Sequence, residues 1–168
     1  MTTQLRLPQA VGVVAALLTT GLDQALKQWL LHVLHLADHP IRLAPFFDLV
    51  LAWNIGISFG WLQSDSPLVQ FALMTVKLGA VVALAIWMAR TRTVISGLSL
   101  GLIIGGAIGN AIDRVVYGAV VDFAHFHLQF GEKTFSWYVF NLADVAIVFG
   151  VIALLYDSFR NGAEAKSS

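Results

Sequence analysis

Two aspartates stand alone in apolar sequence: Asp122 within GAVVDFAHF (118–126) and Asp144 within FNLADVAIVFG (140–150). A carboxylate beside a membrane span is costly to keep charged, so an ionisable residue there is a candidate for function. Like charges a few ångströms apart cannot both ionise readily, and such a pair shares one proton. One carboxyl then takes a proton from water while the other protonates a carbonyl oxygen, the two services that peptide hydrolysis needs. Each aspartate alone also has a structural account. Asn141 is placed to cap a helix with Asp144 in its first turn, and Arg114 is placed to hold Asp122 ionised.

Other polar residues accompany the two. Asp23 and Lys27 are four residues apart and share a helix face, either as an ion pair that lowers the cost of both charges or as part of a site. Asn110, Asp113 and Arg114 read as the polar end of an apolar helix. Lys77 reads as a structural lysine that snorkels or pairs with an acid. Residues 56–60, GISFG, fit the G-x-S-x-G pattern of a serine nucleophile at Ser58. That pattern means a nucleophile only on a strand-to-helix turn of an α/β sheet, which this sequence does not encode. His32, His35, His39, His125 and His127 fall in two separate segments and lack the H-E-x-x-H spacing of a zinc site. A small ion-translocating protein is a further class, but polar groups lie at one end of the spans rather than along a path.

The elements that must position these residues follow from composition. Of 168 residues, 58% are hydrophobic and 12% charged, with mean hydropathy +0.77. Soluble domains carry about a quarter charged residues, so this is the composition of a membrane protein. Net charge is zero, which gives no reason to expect a nucleic-acid partner, and the absence of cysteine excludes disulfides and thiolate metal sites. Spanning a bilayer takes about 20 apolar residues. Four stretches qualify: residues 9–36, 66–89, 94–112 and 139–156. The first lacks a small-residue cleavage pattern and reads as a retained span. Arg6, Arg90, Arg92, Arg160 and Lys166 fall on one side of such a bundle, and Arg42, Arg114 and Lys133 on the other. This bias places both termini in the cytoplasm. It carries Asp23, Asn54, Asn110, Asp113, Asp122 and Asp144 to the outer face. Period-two alternation across residues 124–130, followed by a turn at 131–133, predicts a strand pair. Residues 46–61 are aromatic and β-branched and read as further strands or as a segment lying on the membrane. Gly97, Gly101, Gly105 and Gly109 form a ridge on the third span, suited to close helix packing or to a groove for a lipid or peptide. The fold expected is an all-α membrane protein, with four transmembrane helices and a small β-sheet on the outer face. Residues 1–160 form one domain and 161–168 a short disordered tail.

The motifs, taken in order, resemble those of the aspartyl-type lipoprotein signal peptidases. Asp23-Gln24 and Lys27 are similar to D-Q-x-x-K. Asn54, Gly56, Ser58 and Phe59 are similar to N-x-G-x-[AS]-F, with Ile57 where a small residue is usual. Residues 109–123 match G-N-x-x-D-R-x-x-x-G-x-V-x-D-F, and residues 140–144 match F-N-x-A-D. The last two blocks carry the specificity, and the resemblance covers nearly the whole chain. It implies a catalytic dyad of Asp122 and Asp144, with Asn54, Asn110, Arg114 and Asn141 positioning substrate or dyad and Asp23 and Lys27 supporting the site. It implies a bacterial inner-membrane enzyme; no metal or organic cofactor is needed, and a monomer is expected. Its substrate would be a prolipoprotein with a diacylglyceryl-modified cysteine, cut on the amino side of that cysteine, with membrane lipid as its surroundings. A serine-type membrane hydrolase at Ser58 and a small ion-translocating protein are the alternatives.

Overall fold

A computed structural model describes residues 6–55, 67–131 and 133–167. In chain order the elements are α1 (Leu7–His32), β1 (Ile41–Ala44), β2 (Phe47–Asn54), α2 (Pro67–Arg90), α3 (Val94–Tyr117), β3 (Val120–Phe130), β4 (Lys133–Ser136) and α4 (Leu142–Ser167). Three stretches, Leu7–His32, Val94–Tyr117 and Leu142–Asn161, are helices long and apolar enough to cross a membrane. The mainly helical class and the small sheet agree with the sequence reading.

The centre of the bundle is α3, which packs extensively on α1 and α4 and only lightly on α2. Its glycine ridge makes the α1 contact possible. A Cβ on Gly97 would strike the Pro8 carbonyl, one on Gly101 would strike that of Gly12, and one on Gly105 would lie 2.6 Å from the Ala16 oxygen. On the α4 side, a Cβ on Gly106 would lie 2.5 Å from the Ala143 oxygen. Small residues at four-residue spacing thus bring backbones together, as in helix pairs within lipid. The ridge is a packing surface rather than an open groove.

At one end of the bundle the helices are tied by polar side chains. Gln9 Nε2 donates to the Thr91 carbonyl at 2.8 Å, holding the α2–α3 turn against α1. Thr93 caps α3, its Oγ1 accepting from Ser96 N at 3.1 Å. The Thr93 and Ser96 hydroxyls donate to Asp157 Oδ2 on α4 at 2.5 and 2.6 Å. At the other end lies an antiparallel sheet of order β1-β2-β3-β4. The predicted strand pair is β3–β4, with Phe130 opposite Lys133 and His127 opposite Ser136. Residues 47–54 adopt the strand alternative as β2, whereas β1 has no counterpart in the sequence reading. Leu30 and Leu36 pack with Phe123 and Ala124 to seat the sheet on the end of α1.

Two boundaries differ from expectation. The third helix passes Ile112 and runs to Tyr117, because Asp113 finds buried partners inside the protein (below). It stops at Gly118, whose φ of 75° and N–H bond to the Arg114 carbonyl at 3.0 Å form a left-handed cap. The last helix runs to Ser167 instead of giving way to a disordered tail, in keeping with the strong helix formers of its Ala-Glu-Ala-Lys segment.

Candidate active site

The sheet and two helix ends converge on Asp122 and Asp144. The left-handed turn at Gly118 sends the chain from α3 into β3, where Asp122 follows Val120 and Val121. Phe140 forms a bridge to Ala124, its N–H donating to the Ala124 carbonyl at 3.0 Å and its own oxygen accepting from Ala124 N at 2.8 Å. This fixes the entry to α4 beside Asp122. Asn141 then caps α4 reciprocally: its Oδ1 accepts from Asp144 N at 3.0 Å, and its N–H donates to Asp144 Oδ2 at 3.3 Å. This is the logic of a capping box. The capping role expected of Asn141 is present, and it is part of the site.

Neutral amides bind both carboxylates. Asp122 Oδ2 accepts from Asn54 Nδ2 at 3.0 Å, and its Oδ1 accepts from Asn141 Nδ2 at 2.6 Å. Asp144 Oδ1 accepts from Asn110 Nδ2 at 2.9 Å. The second Asn141 Nδ2 bond goes to Asn110 Oδ1 at 2.9 Å. One asparagine therefore bridges the two acids, and a second joins the bridge to Asp144. Asp122 is 2% exposed. Burial pushes its carboxyl up to about 6; the Asn54 bond opposes this and the neighbouring Asp144 charge adds to it. Arg114 donates to the Asn110 carbonyl at 3.1 Å, and its charge interacts with Asp122, Asp144 and Asp113.

Beneath this pair lies a second acid pair. The Lys27 ammonium sits 2.8 Å from Asp23 Oδ2 and 2.7 Å from Asp113 Oδ2, with all three side chains fully buried. It also donates to Asn110 Oδ1 at 3.2 Å. Gln24 Nε2 donates to Asp113 Oδ1 at 2.8 Å and to the Gly109 carbonyl at 3.0 Å. A Cβ at Gly109 would lie 2.6 Å from Asp23 Oδ2, so the last glycine of the ridge makes room for this cluster. Sequence reasoning assigned Asp113 and Gln24 no part in the site. Their signal was present in the spacing: Gln24 adjoins Asp23, and Asp113 lies one turn beyond Gly109 on the ridge that faces α1.

Asn54, Asp122 and Asp144 line a common cavity of about 490 Å³. Trp137, Tyr138 and Phe140 form one wall, and Val145, Ile147, Val148 and Phe149 form the other. Val148 and Phe149 are exposed on the outside of α4, so this wall continues onto an apolar helix face. Lys77 lines a separate apolar groove between α2 and α3. His127 Nε2 lies 2.9 Å from Asp48 Oδ2, and the His125 and His127 rings are 5.4 Å apart. Among the described residues, no three of His, Cys, Asp and Glu gather as metal ligands. Ser58, with Gly56 and Phe59, lies outside the described residues.

Residues 15–160 match the family described as signal peptidase (SPase) II. The lipoprotein signal peptidase of Nitrobacter hamburgensis is 61% identical over 161 residues, spanning 95% of this chain and 98% of that protein. That of Rhodopseudomonas palustris is 55% identical over 161 residues, with the same shares of each chain. A bacterial membrane enzyme solved by the in meso method shares the fold, with a TM-score of 0.77 over 92% of this chain and 91% of that one at 22% identity. The resemblance first seen in the motifs thus extends over the length of the chain, which belongs to the signal peptidase II family.

Proposed function

We propose that this chain is an aspartic endopeptidase that removes signal peptides from prolipoproteins whose cysteine carries a diacylglyceryl group. The cut falls on the amino side of that cysteine. The observation that carries this reading is the Asn141 bridge: one side chain and its backbone amide bind both Asp122 and Asp144, and both carboxyls face one cavity. In the reaction, one of Asp122 and Asp144 takes a proton from water as the water attacks the scissile carbonyl. The other carries the shared proton and gives it to the carbonyl oxygen. As the tetrahedral intermediate collapses, the carboxyl that took the water proton gives it to the leaving amine, and the other regains its proton from the intermediate's hydroxyl. Asn54, Asn110 and Asn141 hold the carboxyls in place, and Arg114 offsets charge that develops there. No metal or organic cofactor is required, and the enzyme acts as a monomer.

The surroundings fit such a substrate. The apolar wall of Val145, Val148 and Phe149 leads from the dyad to the outside of α4, a route by which acyl chains can stay in lipid while the cysteine reaches the acids. With α2, a 24-residue helix, as the remaining span, the protein crosses the membrane four times. Both termini lie in the cytoplasm of a bacterial inner membrane and the sheet lies on the outer surface. Arg6, Arg90, Arg92 and Arg160 then mark the inner side.

The test is purified protein with a lipidated and an unlipidated form of one prolipoprotein. The reading expects cleavage of the lipidated form alone, on the amino side of the modified cysteine. Equal cleavage of both forms would remove the lipid from the reading. Inhibition by a chelator, or covalent labelling of Ser58 with loss of turnover, would remove the aspartic mechanism.

A further inference from the structure

We infer that Asp23, Lys27 and Asp113 form a positioning device, in which two buried carboxylates each hold the backbone amide just before a dyad aspartate and one lysine locks the two holds together. The inference rests on the dyad reading above. Asp113 Oδ2 accepts from Val121 N at 3.1 Å, and the next residue is Asp122. Asp23 Oδ1 accepts from Ala143 N at 3.0 Å, and the next residue is Asp144. Lys27 contacts the second oxygen of Asp23 and the same oxygen of Asp113 that binds Val121. Its third proton goes to Asn110, which binds Asp144 directly. The ammonium is therefore saturated; one of its bonds leads to the dyad through Asn110, and the other two through a carboxylate and the amide just before a dyad aspartate.

Such a device answers a geometric problem. The two acids come from different elements, β3 and α4, so no single element fixes their separation. Away from this point α1 touches α4 only lightly. The Asp23–Ala143 bond is thus a specific tie between two helices that otherwise pack through α3. Charge-assisted bonds to buried amides are short and directional, which suits them to holding a backbone in register. A plain ion pair would neutralise its charges without reaching for two amides, each one residue from an acid. The separation of the dyad sets how strongly its two titrations couple, so the device acts on the pH profile as well as on the rate.

Asp113→Glu separates positioning from mere neutralisation, since it keeps the charge beside Lys27 but moves the carboxylate by one methylene. The inference expects kcat to fall by roughly a hundredfold with KM little changed, the scale of a displacement of about an ångström. The two limbs of the pH–rate profile should move relative to each other. Amide exchange, read residue by residue by NMR, should rise at Val121 and stay unchanged at Ala143, with Asp23→Glu giving the mirror pattern. Wild-type kcat and pH limbs in the folded Asp113→Glu protein would overturn the inference. Should these variants fail to insert, the wild-type protein decides. Slow exchange at both amides with one common response to denaturant supports the device, and loop-like exchange at either defeats it. Asp122→Asn in the same assay keeps the two readings apart. Turnover there removes the dyad itself, whereas its loss beside a fully active Asp113→Glu removes only the positioning.

Discussion

The molecule contains two acid pairs, stacked at one end of the bundle and built on opposite terms. Asp23 and Asp113 share a cation, the Lys27 ammonium, within 2.8 Å of each. Asp122 and Asp144 share neutral amides, from Asn54, Asn110 and Asn141. A buried ammonium bonded to an oxygen of each carboxylate ties both acids in place and makes them structural. Amides bond to carboxylates without cancelling their charge, so a proton can remain between the acids even with the Arg114 charge nearby. On the proposed reading, the same residue type thus serves as scaffold in one pair and as reagent in the other, according to what stands between its two copies.

The largest effect should come from removing the cation. Lys27→Met leaves two buried carboxylates facing each other, and breaking such a pair costs about 3–5 kcal/mol. The variant should insert poorly or melt early. Adding Asp113→Asn should recover part of that loss by removing one charge. Thermal unfolding in detergent measures both, and a Lys27→Met protein as stable as wild type would erase the contrast between the pairs.

The dyad should behave in the opposite sense. Asp122 titrates near 3.8 when unfolded and is raised to about 6 in the fold. A carboxyl raised in this way favours the folded state most when protonated, so its contribution is full below about 3.8 and is lost as pH rises through about 6. Ionising it costs up to roughly 3 kcal/mol. The stability of Asp122→Asn relative to wild type should therefore improve between about pH 4 and 7. Melting curves across that range check the slope, and a difference that does not vary with pH would contradict it.

The smallest effect should lie far from both pairs. Thr93→Val removes the cap of α3 and one of the two hydroxyl bonds to Asp157. A loss of about 1 kcal/mol is expected, with kcat unchanged. A clear fall in kcat of the folded variant would show that this end of the bundle couples to the site.

Much of this was legible in the sequence, and the exceptions have physical causes. The helical spans follow from hydropathy, the β3–β4 pair from alternation around Gly131, and the close packing of α3, though not its partner α1, from glycine spacing. The structure brings Asp122, Asp144, Asn54, Asn110 and Asn141, all named from the motifs, into one hydrogen-bonded group. Asp113 was misjudged because a charge beside an apolar run reads as a helix end. Its partner, Lys27, lies far away in sequence on another helix, so nothing local shows that Asp113 is partnered inside the protein and that the helix continues to Tyr117. Strand β1 is short, and its pairing with β2 rather than any pattern of its own defines it. The disordered tail was expected from its place at the chain end, which does not weigh helix propensity at the end of a long helix.

The central claim is that Asp122 and Asp144 act as one unit, and comparing single with double variants tests it most directly. Turnover of a lipidated prolipoprotein should be measured for Asp122→Asn, Asp144→Asn and the double variant, each shown to be folded and inserted. Each single change should lower kcat by about two to four orders of magnitude. The double variant should be little worse than either, because removing one member already disables the pair. A folded single variant that cleaves at near wild-type rate, or losses that simply multiply in the double variant, would contradict the account.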